Sequence, residues 1–197
     1  MSYRIFQQPH SFWPKMSRTP SNLVLIGMPG SGKSTVGVIL AKKTSRDFVD
    51  TDLLIQRSQQ RTLQDIVDHD GYGALRNIEE RVLLELGVYN HVIATGGSAV
   101  YSDHAMAHLK SDGLVIFLDV DLATLESRIP DFSTRGLAKR PEQSFPELFD
   151  ERSGLYVKYA DITIRCGSLT QEDVCARIME ETASGHLCFR RPKNILP

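Results

Sequence analysis

An α/β fold of three layers, with helices on both faces of a five-stranded parallel sheet, is what the sequence predicts, and three observations predict it. From Asn22 onward, short apolar runs alternate with longer amphipathic stretches. The runs are too short for helices and rich in Val, Ile or Leu, as strands buried on both faces are. A glycine-rich turn, Gly27 to Ser34, joins the first run to the first amphipathic stretch.

In chain order, Leu23–Ile26 is the first expected strand and Lys33–Thr44 the helix after the turn. Phe48–Asp50 is the second strand, followed by helical patterns at Leu63–His69 and Leu75–Gly87. His91–Thr95 is the third strand, Asp103–Leu109 a helix, Leu114–Leu118 the fourth strand and Leu122–Ile129 a helix. Residues 130–144 break the rhythm with Pro130, Gly136 and Pro141 beside Arg135, Lys139 and Arg140, which reads as a mobile basic lid. Phe145–Tyr159 is the next helix, Asp161–Arg165 the fifth strand and Gln171–Thr182 the last helix.

With 197 residues, 41% of them hydrophobic, the chain suffices for one core. The expected organisation is a flexible extension over residues 1–20, a single domain over 21–184 and a tail over 185–197. Arg4, Lys15 and Arg18 without an early acid leave a short organellar transit peptide as an alternative for the extension. Lys and Arg total 23 against 24 Asp and Glu, a net charge of -1 that offers no footprint for nucleic acid or a membrane surface. The apolar runs fall far short of the ~20 residues of a membrane span. Cys166, Cys175 and Cys188 are odd in number and lack metal-ligand spacing, which fits a reducing cytosol. A cytoplasmic monomer acting on a small molecule is expected.

Gly27-Met28-Pro29-Gly30-Ser31-Gly32-Lys33-Ser34 matches G-x-x-x-x-G-K-[ST] in full, between a strand and a helix. Glycines let successive N–H groups turn inward onto phosphate oxygens, and the following helix adds its positive end. Gly30, Ser31, Gly32, Lys33, Ser34 and Thr35 are therefore the expected nucleotide-binding residues, with Lys33 reaching the β- and γ-phosphates and Ser34 binding Mg²⁺. One βα unit later, Asp50-Thr51-Asp52 places two carboxylates on one side of a strand end. One would hold the metal through water and the other would accept a proton from a substrate hydroxyl. The alternative for Asp52 is to cap a helix starting near Leu53. Phosphoryl transfer needs charge neutralisation, so arginines matter next. Arg76 and Glu79 share a helical face, suggesting an arginine held by its neighbouring carboxylate. Arg135 in the lid is a candidate finger on the γ-phosphate, and Arg152 lies in the following helix.

Taken with the phosphate loop and Asp50-Thr51-Asp52, the segments Leu75-Arg76-Asn77-Ile78-Glu79, Ala94-Thr95-Gly96-Gly97 and Arg152-Ser153-Gly154-Leu155-Tyr156 stand in an order and spacing that resemble the shikimate kinase family. The resemblance spans about Asn22 to Ile164. It implies a phosphate-binding-loop NTPase fold and the ATP- and Mg²⁺-dependent phosphorylation of a hydroxyl on a small carboxylated metabolite, shikimate first, in aromatic amino acid biosynthesis. It further implies that Asp50 sits near the magnesium and that Asp52 is the base. Arg76 and Arg152 would clamp the acceptor carboxylate, and Gly96 and Gly97 would face the acceptor ring. Arg135 corresponds to the lid arginine and Arg128 to the one stacking on adenine. Departures lie on the acceptor side: Ser98 replaces the family's third glycine, Tyr72 and Leu75 replace an acid and an aromatic, and Gly136 replaces a lid proline. A kinase for another small hydroxy acid is thus one alternative, and a nucleotide-binding regulatory protein without phosphotransfer is another.

Two features invite a different chemistry. Leu114–Asp119 looks like a strand delivering Asp119 to a magnesium site, but the resemblance puts His91–Thr95 beside the phosphate loop and the Leu114 strand farther along the sheet. His104 and His108 lack a third ligand and are expected to face solvent.

Overall fold

Every residue of β1 (Asn22–Ile26) is buried, which places it at the centre of the sheet. The computed structural model describes residues 20–129 and 136–183. The expected extension, apart from Pro20, the tail and Arg135 lie outside the described residues. The sheet has five parallel strands in the order β2-β3-β1-β4-β5, with β2 at Asp47–Asp50, β3 at His91–Ala94, β4 at Gly113–Asp119 and β5 at Ile162–Arg165. The edge strands β2 and β5 are only partly buried, whereas the three central strands read as continuous apolar runs.

One expectation is corrected by this order. β4 pairs directly with β1, Val24 opposite Val115 and Leu25 opposite Ile116, and does not lie farther along the sheet. β1 has a neighbour on each side, and the local pattern of Leu114–Leu118 carries no information on which.

α1 (Lys33–Thr44) and α7 (Phe145–Tyr159) have the expected bounds. α7 is fixed by a capping box between Ser144 and Glu147, with Pro146 in its first turn. α2 (Thr51–Gln59) is the helix offered only as the alternative near Leu53; only Thr51 and Ile55 of its nine residues are buried, an apolar stripe too thin to read as a helix by itself. Its cap is Asp50, whose carboxylate accepts from the Asp52 amide at 3.0 Å, so the cap stands two residues before the Asp52 of the capping alternative. α3 (Leu63–Asp70) has a Thr62/Asp65 capping box, and α4 (Tyr72–Glu85) starts three residues before the expected Leu75, released by Gly71 at φ 86°. A 3-10 turn at Ala99–Tyr101 leads into α5 (Asp103–Ser111), and α6 (Leu122–Arg128) and α8 (Gln171–Ala183) complete the helices of the described residues.

The main core joins the central strands to α1, α5, α7 and α8. A second, smaller core of Ile55, Ile66, Leu75, Ile78 and Ala138 binds α2, α3 and α4 to the segment around Ala138. Gly136 is what lets that segment come down. Its φ is +58°, and a Cβ there would stand 2.5 Å from the Gln64 amide nitrogen, so no other residue fits. Its amide donates to Gln64 Oε1 at 2.6 Å, and Leu137 and Ala138 beside it are buried.

Candidate active site

The carboxyl ends of β1, β2 and β3 open onto one cleft of about 440 Å³, where open parallel sheets gather ligands. At the end of β1 the chain enters the glycine turn. Gly30 and Gly32 have φ of 82° and 93°, a conformation that turns successive amides inward. Gly32 starts α1 without any side-chain cap, which leaves the amides of the first turn open to an anion. Lys33 Nζ donates to Gly27 O at 2.8 Å and Met28 O at 2.9 Å, so its third hydrogen is left for a ligand. Burial pulls the Lys33 ammonium down to about 8, partly offset by Asp52, so it still carries its charge at neutral pH. Ser31 Oγ is buried without a partner, an orphan donor in a loop otherwise made of amides. Ser34 Oγ donates to Asp50 Oδ2 at 2.6 Å, which joins the first helix to the end of β2. Thr35 and Arg128 border the same cleft, Arg128 Nη1 lying 3.4 Å from Gly30 O.

Asp52, Glu79, Gly96, Gly97, Ser98 and Arg152 line the other half of the cleft. Burial, against the pull of Lys33, pushes the Asp52 carboxyl up to about 6. Burial and the neighbouring Asp52 push Glu79 up to about 7, and a hydrogen bond from Ser98 works the other way. Gly96 leaves the space that both carboxylates use: a Cβ there would stand 2.6 Å from Asp52 Oδ1 and closer still to Glu79 Oε1. A Cβ on Gly97 would stand 2.8 Å from Arg152 Nη1. The Gly96 amide is held by Thr51 Oγ1 at 3.0 Å and Gly97 O by the Tyr156 hydroxyl at 2.7 Å. Tyr156 stacks on Phe117 of the central sheet, ring centroids 5.1 Å apart, so this glycine pair is braced by the main core.

The structure corrects one reading of this half. Arg76 is not held by Glu79. Its Nη2 donates to Ala138 O at 3.0 Å, and its guanidinium lies over Tyr101 at 3.6 Å and Tyr72 at 5.2 Å from the ring centroids. Arg152, only 1% exposed, donates to the same carbonyl at 2.9 Å. Glu79 is buried and turns instead to Ser98, whose hydroxyl donates to Glu79 Oε2. The extra hydroxymethyl group of Ser98 is thereby drawn onto a carboxylate and does not stand free in the cleft, while Glu79 Oε1 has no hydrogen-bond partner.

Asp119 borders a different cleft, with Cys166, Arg165 and Phe149, and takes no part in this one. His104 is exposed as expected, but His108 is half-buried, its Nε2 2.9 Å from Leu86 O. Among the described residues no group of three or more His, Cys, Asp or Glu is placed to hold a metal. The sequence reading missed Tyr101 and the Ala138 carbonyl as partners of the two arginines. Only the aromatic so close after Gly96-Gly97 offered a signal.

A sequence profile described as Shikimate kinase matches residues 29–183. The shikimate kinase of Rippkaea orientalis is 40% identical over 163 residues, 81% of this chain and 86% of that one. The shikimate kinase of Thermodesulfovibrio yellowstonii is 37% identical over 163 residues, 81% and 94% of the two chains. Among solved structures, a shikimate kinase from Acinetobacter baumannii in complex with shikimate superposes with a TM-score of 0.74 at 31% identity, covering 86% of this chain and 96% of that one. The shikimate kinase of Aquifex aeolicus gives a TM-score of 0.70 at 29% identity, covering 85% and 99%.

Proposed function

The chain belongs to the shikimate kinase family, and from that membership we propose that it transfers the γ-phosphoryl group of ATP to a ring hydroxyl of shikimate, with the residues above in named roles. One observation carries the reading: a lysine and a carboxylate suited to phosphoryl transfer share a cleft with the buried Arg152, and Arg76, outside the lining itself, is joined to Arg152 through the Ala138 carbonyl.

The residues present fit a nucleotide and a magnesium ion. Uncapped amides, the orphan Ser31 hydroxyl and the spare hydrogen of Lys33 suit phosphate oxygens. Ser34 Oγ and Asp50 Oδ2, already 2.6 Å apart, are hard oxygen donors of the kind Mg²⁺ takes. When bound, the ion neutralises charge on the phosphate oxygens. Gly30 to Thr35 hold the phosphates, and Arg128 stacks on the adenine.

Arg76 and Arg152 bind the acceptor carboxylate, fixing the ring so that one hydroxyl faces Asp52 while the Gly96-Gly97 backbone approaches its edge. Asp52 takes the hydroxyl proton as the acceptor oxygen attacks in line, and Lys33 with the loop amides disperses the charge on the transferred group. The raised position of Asp52 makes it a better base than an exposed carboxylate, since burial favours its protonated form. Arg135 completes the set from the lid, whose closure excludes water and suppresses ATP hydrolysis. The proposal includes one kinase unit over residues 21–184, acting as a cytoplasmic monomer in aromatic amino acid biosynthesis. Sedimentation at micromolar concentration giving a dimer mass would remove the monomer from it.

The engagement of Ser98 by Glu79 supports shikimate over a different hydroxy acid, because the substituted position adds no free group to the pocket. A coupled assay on a panel of small hydroxy acids tests the choice. Shikimate should give the highest kcat/KM, and turnover of another acid with none on shikimate would overturn it.

A further inference from the structure

The two arginines pose a physical problem that the reaction scheme leaves open. Both guanidinium groups donate to the one carbonyl of Ala138, so two like charges converge, that of Arg152 buried and that of Arg76 half-buried. Among the described residues neither forms an ion pair with a carboxylate, and Arg76 Nε is buried with no hydrogen-bond partner. Something must hold this pair together and aimed before any anion arrives.

Tyr101 touches both. Its ring face lies 3.6 Å from the Arg76 guanidinium, a close cation–π contact, and 5.3 Å from that of Arg152. Its hydroxyl oxygen accepts from Arg152 Nε at 3.4 Å and its hydrogen goes to Glu151 Oε1 at 2.6 Å. Donating to a carboxylate enriches the phenol oxygen and makes it the better acceptor for Arg152. Glu151 is itself pinned from the lid side, receiving Gln143 Nε2 at 2.7 Å and Arg140 Nη2 at 3.1 Å. The chain of contacts therefore runs from residues 140–143 through Glu151 and Tyr101 to both arginines, and Ala138 closes it. Tyr101 itself does not line the cleft.

We propose that Tyr101 is a positioning residue for the acceptor's carboxylate: its ring and hydroxyl hold Arg76 and Arg152 as a preformed pair, and its bond to Glu151 ties that pair to the base of the lid. The proposal rests on the reading of the two arginines as the carboxylate clamp. It gives Tyr101 no contact with the acceptor, so its effect reaches substrate only through the guanidinium groups.

The experiment compares wild type with Tyr101→Leu and Tyr101→Phe, using shikimate and its carboxamide, in which the anionic group is neutral. KM for shikimate and ATP is measured, together with inhibition or binding constants for the carboxamide. Tyr101→Leu should raise the shikimate KM about tenfold, the loss of one partly desolvated cation–π contact. ATP KM, kcat and carboxamide affinity should stay within about twofold of wild type, because the arginines act on charge. Tyr101→Phe keeps the face and should cost about threefold or less. An unchanged shikimate KM in Tyr101→Leu overturns the proposal, and so does an equal loss for shikimate and carboxamide, which marks mere packing. If Tyr101→Leu fails to fold, Glu151→Gln decides: a rise in shikimate KM alone supports the brace, and no rise overturns it. A wild-type enzyme inactive on shikimate instead refutes the acceptor assignment, and the same acid-against-amide comparison is then made on the hydroxy acid it does phosphorylate.

Discussion

Asp52→Asn should make the protein a poor enzyme and a more stable one, and both effects follow from where the carboxylate sits. Burial raises the Asp52 carboxyl from 3.8 to about 6, net of the attraction of Lys33. A group whose folded value is raised contributes stability that is full below its unfolded value and is lost as pH rises through the folded one. The ligand-free protein therefore gives up this contribution between about pH 4 and pH 6. A rise of about two units is worth at most ~3 kcal/mol at ~1.4 kcal/mol per unit, and the part of Asp52 open to the cleft reduces that to ~1–3 kcal/mol. Asparagine keeps the shape without the buried charge. At ~2–4 °C per kcal/mol for a chain of this size, Tm at pH 7.5 should rise by roughly 2–12 °C. At pH 5 the folded carboxyl is mostly protonated while the unfolded one is still ionised, so about half of the difference should remain, and it should vanish only below about pH 4. Meanwhile kcat should fall ~10²–10⁴-fold, the contribution of a positioned base, with ATP affinity little changed. Scanning calorimetry at the two pH values and steady-state kinetics read all three quantities. A kcat within threefold of wild type would refute the base assignment. A Tm lowered at pH 7.5 would refute the electrostatic argument.

Other perturbations separate the two halves of the cleft. Lys33→Ala should remove at least ~10³-fold of turnover if the buried ammonium meets the phosphates as proposed, and stopped-flow single turnovers would show whether transfer itself is lost. Arg76→Ala should raise the acceptor KM at least ~30-fold while the ATP KM stays within threefold, measured by varying each substrate in turn; an effect confined to ATP would contradict its placement. Gly96→Ala drives a methyl group onto Glu79 Oε1 and Asp52 Oδ1, so acceptor-dependent turnover should collapse while calorimetric ATP binding persists. Wild-type turnover would show that the pocket has room the geometry denies it.

What was legible in the sequence was what local spacing encodes. The phosphate loop and α1 came out with correct ends because glycines, lysine and the start of the helix lie within one short run. The five strands were found because each is a compact apolar segment, although which of them flank β1 depends on pairings between distant residues. α2 was legible only as an alternative because its buried face is two residues wide, and its cap was misplaced because Asp50 and Asp52 are equally good capping residues on paper. Arg76 and Glu79 look like partners at a separation of three, yet each finds a stronger partner across the fold, Ala138 in one case and Ser98 in the other. The direction of the Ser98 hydroxyl, which decides how far the acceptor side departs from the family, depends on a buried carboxylate 19 residues away.

The central claim is that one cleft brings a nucleotide's terminal phosphate and a carboxylated alcohol to the same lysine and aspartate. Product analysis tests it most directly: purified protein is mixed with Mg-ATP and shikimate, and ADP and phosphorylated shikimate are quantified over time. The account predicts that both appear in equal amounts, and that omitting shikimate suppresses ADP release at least ~100-fold through the exclusion of water. ADP released at the same rate without shikimate, or no phosphorylated acceptor at all, would contradict it.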